Sequence, residues 1–249
     1  MVRLNHLAIS AAAIGLLMGA GTAAAQSQAP GFYLRGEAGW SWSHSKDFND
    51  RNGQYSPDCM VCTSPGPSGL GSSALLGGGV GYRLTDLFRV EAMVDYRGWY
   101  KLDGNDNAGT HYKADASSLA GMLNGYVDLP WNLGPVRPYV GAGLGVAHNR
   151  LGAITQSFTI PGIGAGYEND PGGSRTNFAW QAMLGLSWDV TDRITVDAGY
   201  RYFDGGKMQS SGGTSTFGIA GLGAVNVPTD GISGRFTASE AVVGLRYRF

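Results

Sequence analysis

Residues 88–97 read FRVEAMVDYR, and apolar and polar side chains alternate along them. The even positions from Phe88 to Tyr96 are all apolar or aromatic. The odd positions are mostly charged: Arg89, Glu91, Asp95 and Arg97, with Met93 among them. Successive side chains of a β-strand point to opposite faces, so this period of two predicts a strand with one apolar and one charged face.

The same alternation returns along the rest of the chain. Residues 193–202 read RITVDAGYRY and place Asp197 and Arg201 opposite an apolar face, and residues 243–249 read VGLRYRF. We predict eight such segments: residues 32–43, 73–84, 88–100, 115–129, 136–149, 176–190, 193–204 and 237–249. Each is long enough to cross a bilayer as a tilted strand, which needs about ten residues.

The connections between these segments alternate in length. The short ones are residues 85–87, 130–135 and 191–192. The long ones are rich in Gly, Ser, Pro, Asn and Asp: residues 44–72, 101–114, 150–175 and 205–236. Short periplasmic turns and long extracellular loops are typical of outer-membrane barrels. The sequence therefore predicts an all-β fold, an eight-stranded antiparallel up-and-down transmembrane β-barrel with both termini in the periplasm.

The long loops show no helical period, and we expect them to be exposed and mobile. The fourth loop contains an apolar run, FGIAGLGAVNV, at residues 217–227. We interpret this run as an extension of the flanking strands above the membrane or as a small hairpin. A contact site for another molecule is the alternative.

The first residues have the pattern of an export signal. Arg3 precedes an apolar stretch from Leu7 to Ala20, and small residues follow up to Ala25. This pattern predicts a secretory signal peptide at residues 1–25, cleaved after Ala25, and a barrel domain at residues 26–249. No later apolar run is long enough for a spanning helix, and no Cys follows the cleavage site to carry a lipid anchor. Of the exported classes that remain, a closed barrel spans a bilayer without helices because its backbone groups pair within the sheet.

Aromatic residues distinguish a membrane barrel from a soluble β-protein, which would also alternate. On the apolar faces, aromatic pairs lie eight residues apart: Phe32 and Trp40, Phe88 and Tyr96, and Trp180 and Trp188. At ~3.3 Å per residue and a tilt of ~40°, eight residues rise about 20 Å, close to the ~25 Å apolar band of such barrels. We predict an aromatic girdle formed by Phe32, Trp40, Phe88, Tyr96, Trp180, Trp188, Tyr202 and Tyr247.

Charged side chains of the opposite parity are predicted to face the barrel interior. They form a proposed lumen network: Arg35, Glu37, Arg83, Glu91, Asp95, Asp128, Asp197, Arg201, Glu240 and Arg246. An eight-stranded barrel has room inside only for its own side chains, and charges buried there must be paired or hydrated. The network is therefore interpreted as a polar plug of ion pairs, with a gate for small ions as the alternative.

Glycine is abundant, at 41 of 249 residues, and many glycines lie inside the predicted strands. Examples are Gly77, Gly79 and Gly81 in one segment and Gly141, Gly143 and Gly145 in another. Such glycines would weaken a soluble sheet. Inside a narrow barrel, we expect small residues to leave room for large neighbours.

Three stretches resemble the OmpA-like outer membrane β-barrel superfamily, close to its opacity-type and small porin-family members. They are PYVGAGLG at residues 138–145, the region from Trp180 through Trp188 to Tyr202, and VGLRYRF at residues 243–249. The resemblance implies that Phe249 is a signal for the barrel-insertion machinery. Family members are structural proteins, adhesins, evasion factors or narrow channels. The chain ends at the last strand, so the peptidoglycan-binding activity of longer members is not carried over.

A few residues could carry other chemistry. Cys59 and Cys62 are predicted to form a short disulfide, since the compartment is oxidising and two thiols are too few for a zinc site. His44, His111 and His148 fall near the extracellular ends of strands, where a metal or haem site is the alternative to simple solvation. The cluster Ser43-His44-Ser45 lacks an identifiable acidic partner for nucleophilic catalysis.

These features predict a non-enzymatic, Gram-negative outer membrane protein that stabilises the envelope and presents its loops to host or surface ligands. A narrow pore and a lipid-modifying enzyme are the alternatives. The expected partners are outer membrane lipid and the insertion machinery, with no cofactor. The near-neutral net charge of -1 and the lack of a basic stripe exclude nucleic acid.

Overall fold

The chain folds into a long-stranded antiparallel sheet. The computed structural model describes residues 30–45, 49–50, 70–105, 111–131, 134–160, 164–211, 213–219, 221, 223–229 and 232–249. Its strands are β1 (Gly31–Ser43), β2 (Asn49–Asp50), β3 (Ser72–Arg83), β4 (Phe88–Asn105), β5 (His111–Asp128), β6 (Val136–Leu151), β7 (Ile154–Ile160), β8 (Gly164–Asp170), β9 (Gly173–Asp189), β10 (Ile194–Gln209), β11 (Gly213–Ile219), β12 (Gly223–Thr229) and β13 (Ile232–Arg248). Across these residues, no helix has the length and apolar character needed to cross a membrane.

Eight of the described strands close into a barrel, as predicted. The order around it is β1, β3, β4, β5, β6, β9, β10 and β13, each antiparallel to the next. The pairing of β13 with β1 closes the ring, with Arg35 opposite Arg246 and Trp40 opposite Ala241. Closure pairs every edge, which is what lets a sheet span lipid.

The predicted sidedness of the barrel is confirmed. Val90, Val94 and Leu245 point outward and are 43%, 56% and 51% exposed, whereas Asp95 and Arg201 are buried inside. A soluble β-protein would show the reverse arrangement. The exposed apolar belt is therefore a lipid-facing surface.

Two of the three periplasmic turns are stabilised by the same local hydrogen bonds. In Thr85-Asp86-Leu87, the Thr85 hydroxyl oxygen accepts hydrogen bonds from the backbone amides of Leu87 and Phe88. In the turn that begins at Thr191, the Thr191 hydroxyl oxygen accepts hydrogen bonds from the backbone amides of Arg193 and Ile194 in the same way. A threonine hydroxyl that binds amides two and three residues ahead stabilises a tight turn, so these connections remain short.

Glycines inside the barrel make room for aromatic rings, as the composition predicted. A Cβ atom added to Gly81 would lie 2.2 Å from the Tyr33 ring, and one added to Gly141 would lie 2.5 Å from the Tyr126 ring. Gly185 and Gly199 both face the Tyr139 hydroxyl. The narrow lumen is filled by pairing bare backbone on one strand with a large side chain on another.

The third and fourth loops, which were expected to be exposed and mobile, contain regular β-strands. β7 and β8 form a hairpin whose first strand pairs with the top of β5, and β11 and β12 form another that adds to β8. The apolar run at residues 217–227 lies within this second hairpin, one of the two structures predicted for it. We call the assembly of upper β5 with β7, β8, β11 and β12 the extracellular sheet. Its polar and glycine-rich strands satisfy their backbone groups by pairing, a tertiary effect that local composition does not reveal.

Two β-bulges shift the alternation near the extracellular end. In β4 the register shifts between Arg97 and Tyr100, and Trp99 adopts a left-handed backbone conformation with φ 68°. The shift turns Trp99 outward, 63% exposed, and Tyr100 inward, fully buried. In β10 the register shifts between Asp204 and Lys207. Around the bulges, the interior changes from charged to apolar.

Candidate functional site in the barrel lumen and at the extracellular rim

The ten predicted lumen residues are all buried, between 0% and 8% exposed. Ion pairs join them to Arg89 and Arg97, two residues on the same face that the proposed network omitted. Six arginines and six carboxylates take part among the described residues: Arg35, Arg83, Arg89, Arg97, Arg201 and Arg246 with Glu37, Glu91, Asp95, Asp128, Asp197 and Glu240. Their formal charges balance, as buried charges require.

The periplasmic half of this network is centred on Arg35, Glu91 and Asp197. Arg35 Nη1 lies 3.0 Å from Asp197 Oδ2 and 3.4 Å from Glu91 Oε1. Arg246 donates to both oxygens of Asp197, and Arg89 Nη1 donates to Glu91 Oε1 at 2.7 Å. Forked arginine contacts of this kind are geometrically specific as well as charged. The Arg246–Asp197 fork joins the neighbouring strands β13 and β10, and Arg35 of β1 bridges Glu91 of β4 to Asp197 of β10 on the opposite wall of the barrel.

The extracellular half is centred on Glu240 and Arg201. Glu240 accepts hydrogen bonds from Arg97 Nε at 2.6 Å, Arg201 Nε at 2.5 Å and Ser41 Oγ at 2.9 Å. Arg201 Nη1 also lies 2.8 Å from Glu37 Oε1, and Glu37 pairs with Arg35 below it. The two halves are therefore one continuous set of contacts.

An apolar layer lies above the charges. Tyr100, Phe203 and Phe236 pack edge to face there, with ring centroids 5.4 Å and 6.0 Å apart, and all three are fully buried. The Arg97 guanidinium lies 3.7 Å from the Phe203 ring centroid, which joins the two layers. Tyr100 reaches this layer only because the bulge in β4 inverts the parity of its strand, whereas Phe203 and Phe236 keep the inward parity of Arg201 and Glu240 and were not assigned to the lumen because they carry no charge. Charged side chains below and aromatic rings above fill the barrel cross-section.

The eight aromatic residues predicted for the girdle all point out of the barrel. Six are at least 37% exposed, whereas Trp188 and Tyr202 are half-buried. Trp180 packs on Tyr202 with ring centroids 5.5 Å apart. Further aromatic residues outside the predicted girdle also face outward: Trp42, Trp99, Trp131, Phe178 and Tyr200. At the other end Phe249 is 75% exposed and packs on Tyr247.

The rim histidines are not brought together. His44 Nε2 lies 2.7 Å from Ser239 Oγ, and His148 Nδ1 lies 3.0 Å from Thr176 Oγ1 on a different part of the barrel. The side chain of His111 lies outside the described side chains. Within the described part of the chain, no three His, Cys, Asp or Glu side chains are grouped to hold a metal ion.

The cluster Ser43-His44-Ser45 does not pair internally as a serine nucleophile and its base would. The Ser43 and Ser45 hydroxyls hydrogen-bond to each other at 2.9 Å, while His44 turns to Ser239. The predicted disulfide between Cys59 and Cys62 and the predicted cleavage after Ala25 lie outside the described residues.

Comparison with known proteins gives a consistent set of relatives. A family model described as the outer membrane protein beta-barrel domain matches residues 10–249. The chain is 32% identical over 204 residues to the outer membrane protein PagN of Salmonella typhimurium, which covers 76% of this chain and 80% of PagN. It is 26% identical over 183 residues to a Rickettsia rickettsii protein provisionally named an adhesin, covering 68% and 71% of the two chains. Among solved structures, Neisserial surface protein A is similar over 89% of this chain and 99% of that chain, with 18% identity and a TM-score of 0.40.

Proposed function

Because the chain belongs to the family of outer membrane protein β-barrel domains, we propose that it is a closed surface barrel that presents an extracellular sheet to host or surface ligands. It is an outer membrane protein, and its relatives include one provisionally named an adhesin. The observation that carries the proposal is the extracellular sheet itself. Two hairpins extend β5 beyond the barrel by four strands, which is more ordered surface than crossing a bilayer requires.

The barrel acts as the rigid base of that surface. Its lumen charges are cross-linked across the interior, and the aromatic layer closes the extracellular end. Binding residues held by a rigid scaffold lose less conformational entropy on binding than residues of a mobile loop. The proposed role is therefore non-enzymatic, combining support of the envelope with surface contact.

Replacing the hairpin β11–β12, residues 213–229, by a short Gly-Ser connection should abolish adhesion of expressing cells to cultured host cells. The hairpin forms the outer part of the extracellular sheet and pairs with β8, not with any of the eight barrel strands. We therefore expect the barrel to keep its heat-modifiable migration on a gel. Adhesion is counted per cell at equal surface expression. The matched control replaces the periplasmic connection 130–135 in the same way and should adhere normally. Unchanged adhesion of the hairpin variant would contradict the proposal.

The narrow pore is the second candidate, and the packing of the lumen argues against it. We expect the purified protein to show no steady conductance in a planar lipid bilayer. The reason is that a permeating ion would have to separate arginine–carboxylate pairs whose side chains are at most 5% exposed and then cross the aromatic layer. Current is recorded at symmetrical salt, with a known porin as the positive control. A steady, large conductance would replace the closed barrel with a pore.

A further inference from the structure

A cleft opens between β9, β10 and β13 near the extracellular rim of the barrel. The ladder between β9 and β10 is continuous up to the pair of Trp180 and Asp204, where the bulge in β10 begins. Above that point the side chain of Asn177 links the two strands in place of the backbone ladder, since its Nδ2 donates to the Lys207 carbonyl at 2.7 Å. The resulting cleft has a volume of about 480 Å³.

The bulge depends on a glycine. Gly206 has φ 75°, a left-handed conformation that side chains disfavour. A Cβ atom there would also lie 2.6 Å from the Asn177 Cβ atom. The cleft is thus built into the strand geometry rather than left by a loop.

The lining of the cleft is cationic. It consists of Arg175, Asn177, Phe178, Gly206, Lys207, Ser233, Gly234 and Arg235, of which three are basic and none is acidic. Arg235 Nε lies 3.0 Å from the Asp204 carboxylate, and its side chain is still 69% exposed. Lys207 is exposed, and Arg175 is exposed while donating to Gln209. Asp204 offsets one of the three positive charges, so two remain for a ligand.

The position of the cleft indicates what that ligand is. Phe178, in its wall, is 64% exposed, and the Trp180–Tyr202 pair of the girdle lies directly below. At ~3.3 Å per residue, Arg175 lies roughly 17 Å beyond Trp180 along the strand, or about 13 Å along the membrane normal at a tilt of ~40°, which places it among the headgroups of the outer leaflet. A ligand with apolar chains below and anionic groups above would match both the aromatic surface and the charges.

We propose that this cleft binds the phosphorylated headgroup of an outer-leaflet lipid, with Arg175, Lys207 and Arg235 contacting its phosphates. Arginine and lysine are the side chains that favour phosphate oxygens. The exposed Phe178 makes the cleft continuous with the lipid-facing belt, which favours a membrane lipid over a soluble anion. The site would fix the rotational orientation of the barrel in the leaflet. This inference rests on the outer membrane location and not on the adhesion experiment.

The test measures binding of diphosphoryl lipid A in detergent micelles to the refolded protein and to its R175Q/K207Q variant. Two lost contacts at about 1 kcal/mol each should weaken binding roughly 30-fold. Removing both phosphates from the lipid should weaken binding to the wild type by a similar factor. The control K101Q/K113Q removes two exposed lysines of the same rim, of which Lys101 lies opposite Asp115, and should bind within about twofold of wild type.

Three results would overturn the proposal. The first is equal binding by wild type and R175Q/K207Q. The second is displacement of the lipid by inorganic phosphate at equal concentration, which would indicate a simple anion site. The third is a variant that loses heparin binding but keeps lipid binding, which would assign the cleft to a sulfated glycan. Both substituted side chains are exposed, so R175Q/K207Q should keep its heat-modifiable migration on a gel. If the double variant loses that migration, the binding measurement is repeated with the single variant K207Q.

Discussion

Replacing Glu240 by Gln should destabilise the barrel by about 3–5 kcal/mol, the usual cost of removing one partner from a buried ion pair. Glu240 is completely buried and accepts hydrogen bonds from Arg97, Arg201 and Ser41. An amide in its place would direct an N–H group at guanidinium groups that can only donate. The lumen would also carry one uncompensated positive charge.

The measurement is urea unfolding of the refolded protein in lipid vesicles, followed by tryptophan fluorescence. Asp115→Asn is the matched control, because it removes one carboxylate from an exposed strand position and should change stability by less than about 0.5 kcal/mol. The double variant Arg97→Gln/Glu240→Gln restores charge balance and should recover part of the loss. If Glu240→Gln were as stable as Asp115→Asn, the ion pairs would not hold the barrel together.

Gly145→Ala should destabilise the barrel by roughly 1–3 kcal/mol through overpacking. Gly145 faces the lumen from β6, and a Cβ atom there would lie 2.0 Å from the backbone oxygen of Gly121 and 2.8 Å from the Met122 sulfur. A backbone atom inside a sheet cannot move aside without disturbing the ladder. Gly145 does not have a positive φ, so the expected loss of stability comes from the steric clash of one methyl group and not from backbone strain.

The neighbouring strand offers a close control for this substitution. Gly121 pairs with Val146 in the same ladder, and a Cβ atom there meets nothing within 4 Å. Gly121→Ala should therefore be neutral or stabilise by up to ~1 kcal/mol through the unfolded chain. Both variants are compared by the same urea titration. Equal stability of Gly145→Ala and Gly121→Ala would show that the lumen accommodates a methyl group at Gly145 without a steric cost, contrary to the prediction.

The strand positions were predictable because the signal for them is local. The segment predicted at residues 88–100 corresponds to β4, Phe88–Asn105, and that at 136–149 to β6, Val136–Leu151. Errors occur at the extracellular ends, where the strands continue past the membrane. There the outer environment is water on both faces, so the alternation that marks a lipid-facing strand fades. The hairpins β7–β8 and β11–β12 were missed or left open for the same reason.

The lumen residues were also predictable only in part. Parity along β4 is enough to place Glu91 and Asp95 inside. Their partners could not be assigned, because Arg201 reaches Asp95 across 106 residues and Arg97 reaches Glu240 across 143 residues. Arg97 and Glu240 are separated by three strand ladders and Arg201 and Asp95 by four, so those contacts depend on several registers at once, which no single segment encodes. The cleft beside Gly206 depends in addition on a bulge. A bulge inserts one unpaired residue, and a single inserted residue cannot be recognised from the alternation of apolar and polar side chains.

The sequence by itself determined the fold class, the number of barrel strands and which face of each strand meets lipid. It could do so because amphipathic alternation with a period of two is a property of neighbouring residues. Only the tertiary structure decided which arginine meets which carboxylate, where the aromatic layer closes the lumen, and that a cationic cleft opens at the rim. Those features arise where strands distant in sequence are brought side by side, and small register shifts at the bulges set their geometry.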